Sequence, residues 1–443
     1  MTATEPRTGP PSSRSGPRDG AGGSRPPTAN WAGNVVFAAR DVRRPPSVSA
    51  LRRLVAESRR CRAVGGAYSF SRVADTPGTL IALDRLPPVA DVDTRRRTVR
   101  VSAGMSFTDL NPRLHRYGLA LPNLASLPHV SVAGACATGT HGSGNGNGCI
   151  ASGVVETEIV TADGSLVTVP AGAPEAGAAA LSVGALGVVT HVTLGLVPAF
   201  DVEQYVWEGL SWEALVAHFT EITGAAYSVS VFTDWGRSNS VWIKRRTDDP
   251  RPDLAWTGAV PASRDRHPLA GLSPRDCTEQ CGRPGPSHQR LPHFRPGALP
   301  DHGDELQSEY FVPLTRAKQA LEAVGSLRAE LRPVLRLSEL RTLAGDDCWI
   351  GPGHGRAGLA VHFTWRNDPQ GVARVLPEVE RVLAPYDARP HWGKLFRTDP
   401  EVLARSYPRW ADFVELRDRW DPAGTFDNDF TDRCFPRGGP QAG

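Results

Sequence analysis

Two short segments in the second half of the chain carry polar side chains at alternate positions. Glu339 and Arg341 are two residues apart, and so are His362 and Thr364. Both segments have the composition of β-strands, in which alternate residues share one face. A sheet face with a carboxylate, a guanidinium, an imidazole and a hydroxyl makes a poor core but a good pocket for a hydroxylated small molecule. The alternative is a solvated sheet face with an ordinary Glu–Arg pair and a structural histidine.

Two glycine-rich segments have the composition of loops that hold an anionic cofactor. The first is residues 65–71, and the second is residues 123–148, which carries no ionisable side chain except His129 and His141. Small residues let a backbone approach a bulky partner closely, and consecutive main-chain N–H groups form anion sites. Neither segment matches GxGxxG or GxxxxGK[ST], which argues against Rossmann and P-loop folds. We expect one large cofactor held from two sides; the alternative is a pair of solvated turns.

The composition excludes several classes of partner. The chain has 443 residues, enough for two domains, and its net charge of +3 is too small to indicate a nucleic-acid or membrane partner. No apolar run approaches the length of a transmembrane helix. Residues 1–28 are rich in Pro, Gly, Ser and Arg and lack the apolar core of a signal peptide. We therefore expect a disordered tail there and a cytoplasmic protein.

Cysteine and lysine usage gives two further indications. The seven cysteines are scattered, and Cys277 and Cys281 form the only close pair, which is weak as a zinc site. We expect free thiols in a reducing compartment and no metal. Only three of the fifty basic residues are lysine, and each is of interest because arginine serves elsewhere: Lys244, Lys318 and Lys394.

Hydrophobic periodicity and turn signals predict the elements that must position these side chains. Ser49 is predicted to cap a helix that ends near Ser58, and a strand at residues 62–64 leads into the first glycine-rich segment. Ser106 is predicted to cap a second helix. Residues 247–304 are too long for a plain connector and are predicted to form a lid or a partner contact. Other strands are predicted at residues 35–39, 98–102, 156–169 (a hairpin), 187–197, 227–232, 241–244, 306–312, 335–343 and 359–365, and helices at residues 212–222 and 314–331.

Four motifs together resemble one family of flavoenzymes. They are residues 65–71, residues 123–148, the Gly-Ala-Leu-Gly-Val-Val-Thr motif that ends at Thr190, and the His-Trp-Gly-Lys motif that ends at Lys394. This combination resembles the bacterial alditol oxidases of the vanillyl-alcohol oxidase superfamily, with aldonolactone oxidases as near relatives. The resemblance covers nearly the whole chain, from about residue 30 to about residue 433.

The resemblance implies an α+β fold of two domains. A PCMH-type FAD-binding domain is expected over residues 29–200, and a substrate domain with an antiparallel sheet over residues 201–398. Residues 399–443 are expected to return to the FAD-binding domain. The implied activity is FAD-dependent oxidation of an alcohol carbon of a polyol, sugar or cyclitol, by hydride transfer to flavin N5. The implied partners are a small hydroxylated substrate and O2 or another electron acceptor, and a monomer is expected.

The resemblance also implies the site residues. Arg341 and Lys394 are expected to stabilise the developing alkoxide. His362 is expected to accept the proton, because an imidazole titrates near neutral pH. The implied substrate-binding residues are Ser126, Glu339, Arg341, Thr364 and Lys394. The implied FAD-binding residues are Gly65, Gly66, Ala67, Tyr68, Ser69, Ser126, Ser131, Gly134, Thr138, Gly139, Thr140, His141 and Val189.

One position departs from the family pattern. The family links its flavin covalently through a histidine in a Gly-x-Gly-His-Ser-Phe motif, and Tyr68 stands at that position here. We therefore expect noncovalent FAD. Three alternatives remain open: a dehydrogenase or an epimerisation step acting on a larger specialised-metabolite glycoside, a flavin linked through a tyrosine, and a flavin-binding protein without catalysis.

Overall fold

The computed structural model describes residues 28–236, 238–298 and 303–438. The expected disordered tail therefore lies outside the described residues, except for residue 28. Across the described ranges, no helix combines the length and the apolar character needed to cross a membrane.

The cysteines are all free, six of them buried and Cys281 exposed, as the sequence predicts. The ligand atoms of Cys149, Asp346 and Cys348 lie within 4.8 Å of one another. The thiol of Cys149 donates a hydrogen bond to Asp346 Oδ2 at 3.3 Å, and Asp346 Oδ1 accepts from the Cys348 N–H at 3.0 Å. These hydrogen bonds account for the grouping.

The first part of the chain forms two main sheets that carry the glycine-rich segments at their ends. Its strands are β1 Asp41–Arg43, β2 Cys61–Val64, β3 Thr79–Ala82, β4 Ala90–Asp93, β5 Thr98–Ser102, β6 Leu119–Ala120, β7 Val154–Val160, β8 Leu166–Pro170, β9 Val188–Gly195 and β10 Val197–Pro198. Its helices are α1 Val48–Glu57, α2 Phe107–Arg116, α3 Val132–Thr138 and α4 Ala176–Ala180. A parallel sheet has the order β1-β3-β2, and an antiparallel sheet has the order β4-β5-β9-β7-β8.

The strand predicted at residues 35–39 is wrong. Val36 makes only an isolated bridge with Ala29 and is 66% exposed. The N–H of Ala38 donates to the Asp75 carboxylate at 2.7 Å instead of to a neighbouring strand. The first strand begins only at residue 41.

The two predicted helix caps differ in outcome. Ser106 caps α2 as predicted, because its Oγ accepts from the Asp109 N–H at 3.2 Å. Ser49 does not cap α1, which begins two residues earlier than predicted. The cap is Ser47, whose extended backbone lets its Oγ accept from the Ala50 N–H at 3.1 Å.

The second part of the chain forms one antiparallel sheet of nine strands. The strands are β11 Asp201–Ser211, β12 Ser228–Thr233, β13 Ser238–Arg246, β14 Val260–Pro261, β15 Gly285–Pro286, β16 Glu305–Pro313, β17 Leu335–Leu343, β18 Gly358–Arg366 and β19 Arg389–Pro390. The helices are α5 Trp212–Ala217, α6 Phe219–Thr223, α7 Ala317–Gly325, α8 Arg328–Leu331 and α9 Pro369–Leu383. The strand order is β14-β11-β13-β12-β17-β18-β16-β19, and β15 also pairs with β11.

The two faces of this sheet differ in polarity, as the alternation in β17 and β18 predicts. Leu340, Val361 and Phe363 are fully buried in the main hydrophobic core, together with residues of α7 and α9. Glu339 and His362 lie at the alternate positions and therefore on the opposite face. The helices cover the apolar face, and the polar face is left for the site.

The last helices are α10 Pro400–Ser406, α11 Trp410–Trp420 and α12 Asp429–Cys434. The turn between α11 and α12 contacts the first sheet: Cys61 N–H donates to Thr425 O at 2.8 Å, and Asn428 Nδ2 donates to Asp75 O at 2.6 Å. The domain boundaries near residues 200 and 399 stay a prediction.

Arg62, in β2, joins three distant segments through its buried guanidinium. It donates to the backbone carbonyls of Val183 at 2.6 Å, Gly184 at 2.9 Å and Phe426 at 3.0 Å, and also to that of Val73. One side chain therefore fastens the C-terminal segment and the turn before β9 to the parallel sheet.

Replacing Arg62 with alanine is expected to lower the free energy of unfolding by about 3 kcal/mol or more, because four backbone carbonyls lose their donor. Chemical denaturation of the purified protein measures the change. The matched control is Arg59→Ala at an exposed site, with an expected change of about 0.5 kcal/mol or less. Equal stability of the two variants would contradict the assignment.

Candidate active site

One large cavity lies between the glycine-rich segments and the polar face of the nine-stranded sheet. Its volume is about 560 Å³. Every residue predicted to bind FAD or substrate lines it, apart from Gly139. The lining predicted residues are Gly65, Gly66, Ala67, Tyr68, Ser69, Ser126, Ser131, Gly134, Thr138, Thr140, His141, Val189, Glu339, Arg341, His362, Thr364 and Lys394.

Gly139 has a structural role instead. It ends α3 in the left-handed conformation, with φ of 73°, which glycine adopts without strain. A Cβ there would also lie 2.9 Å from Pro352 Cδ. Gly139 is not among the residues that line the cavity, and its contact with the cofactor stays a prediction.

The first glycine-rich segment and the start of α3 fit a bulky anionic group. A Cβ on Gly65 would lie 2.2 Å from Ser131 Oγ, and a Cβ on Gly134 would lie 2.7 Å from the same atom. Ser131 precedes α3 and is buried, yet its side chain makes no capping hydrogen bond. In the described structure, the N–H groups of residues 66–69 likewise have no acceptor within the protein. These donors fit the polar part of FAD.

Tyr68 stands among these residues at the edge of the cavity. Its ring centroid lies 6.3 Å from that of Trp31 in a tilted contact, and its ring touches the space that a side chain on Gly66 would need. Burial raises the pKa of its phenol, so the hydroxyl is neutral at physiological pH.

Strand register brings four side chains of the polar face into one row. Phe232 in β12 pairs with Glu339 in β17, Glu339 pairs with His362 in β18, and His362 pairs with Glu309 in β16. Paired residues of adjacent antiparallel strands point to the same face. Beyond Glu309, the N–H of His391 donates to Glu309 O at 2.9 Å, which begins the turn that carries Lys394.

Glu309 is the centre of the charged part of this row. Its carboxylate is fully buried and accepts from Lys394 Nζ at 2.7 Å and Arg341 Nη2 at 3.2 Å. His141 Nε2 lies 3.3 Å from Oε1. Burial by itself would raise the pKa of Glu309, but Lys394, His141 and Arg341 hold it well below its usual value.

His362 is a neutral imidazole of defined tautomer. Its Nδ1 accepts from Lys394 Nζ at 2.6 Å, and its Nε2 lies 3.1 Å from Thr364 Oγ1. Because Nδ1 must offer a lone pair to the ammonium group, the proton is assigned to Nε2. Burial, with Lys394 and Arg341, lowers the pKa of His362 to about 3. The expectation that it titrates near neutral pH is therefore wrong, because that expectation ignored burial beside two cations.

Glu339 and Arg341 continue the network on the other side. Arg341 Nη1 donates to Ser126 Oγ at 3.2 Å, and Arg341 Nε lies 3.5 Å from Glu339 Oε1. The same oxygen lies 2.7 Å from His293 Nε2, and His293 Nδ1 accepts from Lys244 Nζ at 3.0 Å. Polar groups in hydrogen-bond or ion-pair contact thus extend from Lys244 to Thr364.

Three members of this network are absent from the residues predicted by sequence: Glu309, His293 and Lys244. Glu309 had a usable signal, because it is the one carboxylate inside the predicted strand at residues 306–312. The only signal for Lys244 was that lysine is rare in this chain. His293 lies in the irregular insert, where no periodicity indicates direction.

Comparisons with known proteins identify the family to which the chain belongs. A family model for an FAD binding domain matches residues 42–170, and one for D-arabinono-1,4-lactone oxidase matches residues 304–434. The chain is 48% identical to an alditol oxidase of a Streptomyces strain over 406 residues, which is 90% of this chain and 97% of that protein. It is 29% identical to the L-gulono-1,4-lactone dehydrogenase of Mycobacterium tuberculosis, over 92% of this chain and 98% of that protein.

Among solved structures, the chain resembles cholesterol oxidase from Brevibacterium sterolicum in fold alone. The TM-score is 0.74 at 14% identity, and the match covers 92% of this chain and 96% of the other. The FAD binding domain model and the alditol oxidase relative together identify an FAD-dependent oxidoreductase with the PCMH-type fold, as predicted. More particularly, the chain belongs to the alditol oxidase family.

Replacing Glu309 with glutamine is expected to lower the free energy of unfolding at pH 7 by about 3 kcal/mol or more, because two buried cations lose their anionic partner. Since the folded pKa of Glu309 lies below its unfolded value of about 4.5, its stabilisation is present above that pH and is lost as the pH falls. The difference from wild type should therefore stay constant down to about pH 4.5 and shrink below that pH, as followed by denaturation between about pH 7 and about pH 3.

The control for this variant is Glu378→Gln, which breaks an exposed pair with Arg381 at 2.8 Å. Exposed pairs contribute about 0–1 kcal/mol, so little change is expected. A Glu309 variant as stable as this control at pH 7 would mean that the carboxylate is not the counterion of the row.

Proposed function

We propose that the protein oxidises an alcohol carbon of a polyol, sugar or cyclitol, with noncovalently bound FAD. The observation that carries the proposal is the row of buried polar groups on one wall of the cavity, facing the glycine-rich segments. A pocket of fixed donors and acceptors selects molecules with several hydroxyls, because an analogue that lacks one leaves a buried group unpaired.

Arg341 and Lys394 are the proposed catalytic cations. A substrate hydroxyl placed between them would meet two N–H donors in a buried site, where charge stabilisation is stronger than in water. Glu309 keeps both side chains in place through its carboxylate. Ser126, Glu339 and Thr364 are proposed to bind the other hydroxyls of the substrate.

His362 is proposed to accept the hydroxyl proton at Nδ1. This is the ring nitrogen that carries the lone pair, because it accepts from the ammonium group of Lys394. A substrate oxygen that approaches Nδ1 would displace Lys394 Nζ, which then donates to that oxygen instead. The low pKa of His362 makes it a weak base, so proton acceptance must accompany the departure of the hydride.

FAD supplies the hydride acceptor at flavin N5. The residues proposed to hold it are those of the first glycine-rich segment, together with Ser131, Gly134 and the neighbouring part of the second. Tyr68 lacks the imidazole nitrogen that links the flavin in related enzymes, which supports noncovalent binding. The final electron acceptor is proposed to be O2. A monomeric state and a cytoplasmic location stay predictions.

Lys394→Met is expected to slow flavin reduction by a five- or six-carbon alditol by about a thousandfold or more, because an oriented ammonium group beside a developing alkoxide contributes several kcal/mol. FAD content should not change. Anaerobic stopped-flow measurement of flavin bleaching tests this, with Lys318→Met at an exposed site as the matched control. A Lys394 variant that reduces its flavin at the control's rate would exclude the catalytic role.

The purified protein is expected to be yellow and to release its flavin when precipitated with acid, because no imidazole lies at position 68. Absorbance of the supernatant and the mass of the denatured chain measure the release. Tyr68→His is the matched variant and should gain a covalent adduct of one FAD in part of the molecules. Flavin that stays with the wild-type pellet would refute noncovalent binding.

A further inference from the structure

We propose that His293 and Lys244 form a positioning arm that fixes the Glu339 carboxylate for a substrate hydroxyl. The inference rests on the proposed function and identifies what sets the direction of one of its substrate-binding groups. His293 belongs to the insert at residues 247–304, and Lys244 to β13. Neither residue belongs to the predicted site. Because His293 lies in the insert, the proposal gives the insert a part in substrate recognition.

The hydrogen bonds of the arm define its polarity. Lys244 Nζ donates to the carbonyl of Leu291 and to His293 Nδ1, the latter at 3.0 Å. His293 Nδ1 therefore offers a lone pair, and its proton lies on Nε2, which donates to Glu339 Oε1 at 2.7 Å. The arm delivers one directed N–H donor to one carboxylate oxygen.

The surroundings of the His293 ring allow it little freedom. The ring makes edge contacts with Phe232 at a centroid distance of 5.4 Å and with Trp242 at 5.5 Å. Lys244 is 2% exposed and His293 is 4% exposed. A donor held by packing and by a second hydrogen bond fixes its acceptor more sharply than a solvated side chain does.

Glu339 is left with one oxygen for a ligand. The contacts recorded for its side chain in the described structure, from His293 Nε2 at 2.7 Å and Arg341 Nε at 3.5 Å, both involve Oε1. Glu339 lines the cavity, and its carboxyl is ionised, because Arg341 and His293 lower its pKa against the effect of burial. Oε2 is therefore an acceptor that a substrate hydroxyl can use.

The insert also forms a backbone hydrogen bond with Ser126, a second proposed substrate-binding residue. The N–H of His293 donates to Ser126 O at 3.1 Å, and Ser126 Oγ accepts from Arg341. His129 Nε2, three residues after Ser126, lies 2.7 Å from Pro296 O. The backbone around His293 is thus hydrogen-bonded to the second glycine-rich segment, which faces Glu339 across the cavity.

The test compares His293→Phe, which keeps a ring of similar shape, with His293→Gln, which keeps a donor and an acceptor. Both are measured as FAD-loaded full-length protein with xylitol and sorbitol. His293→Phe is expected to raise KM about tenfold or more while kcat falls by less than about threefold, and His293→Gln to stay within about threefold of wild type. Lys244→Met should raise KM in the same direction, and Lys318→Met should not.

A cycle with Glu339→Gln separates positioning from a general structural effect. In that background, His293→Phe is expected to change KM by less than about twofold, because the carboxylate it orients is gone. Additive effects, or a glutamine variant as impaired as the phenylalanine variant, would overturn the proposal. So would an unchanged KM in His293→Phe.

A measurement without turnover covers the case in which a variant folds poorly. The ¹⁵N shifts of His293 in the wild-type protein are expected to show a neutral ring with the proton on Nε2 between pH 6 and pH 8. A proton on Nδ1 would overturn the arm. If no alditol, sugar or cyclitol reduces the wild-type flavin, the proposed function fails, and this inference fails with it. Normal wild-type reduction with no variant effect overturns the inference alone.

Discussion

The polar wall of the cavity depends on one buried charge, the carboxylate of Glu309. An isolated carboxylate without exposure to water would take up a proton instead of staying ionised. Here Lys394 and Arg341 donate to the carboxylate directly. It therefore stays an anion, and these contacts offset the free-energy cost of burying its charge. Burial and Arg341 lower the pKa of Lys394, and Glu309 opposes that lowering. Lys394 and Arg341 can therefore both face the cavity as cations. The anion stabilises the two cations, and the cations stabilise the anion.

Strand register decides whether this arrangement forms at all. The side chains of β16, β17 and β18 alternate between an apolar face covered by helices and the polar face. A slip of one residue would exchange the two sets and place Glu309 in the hydrophobic core. The core side chains therefore specify the site, because burying Leu340, Val361 and Phe363 on one face forces the charged residues onto the other. Stability and function depend here on the same pairing.

The cavity is a shared product of distant parts of the chain. The glycine-rich segments offer backbone donors and open space, while the sheet offers directed side chains. The insert adds His293 and the C-terminal turn closes against Arg62. The parts complement one another. A sheet face cannot surround a large cofactor, and a glycine-rich loop lacks the side chains that would hydrogen-bond to substrate hydroxyls. The same fold occurs in cholesterol oxidase at 14% identity.

The sequence by itself determined the local features of this protein. Alternation predicted that Glu339, Arg341, His362 and Thr364 share a face, and small-residue composition predicted the two cofactor-holding segments. The register of β17 and β18 confirms the first prediction, and the second stays a prediction. Both could be made because period and composition are short-range properties of a chain. Only the tertiary structure decided that Glu309 lies between them, that His293 reaches in from an irregular insert, and that His362 is neutral with a pKa of about 3. Strand order places residues 309 and 362 side by side although 52 residues separate them, and a pKa depends on which charges become buried neighbours. Neither the strand order nor the pKa of a buried group can be predicted from a local stretch of sequence.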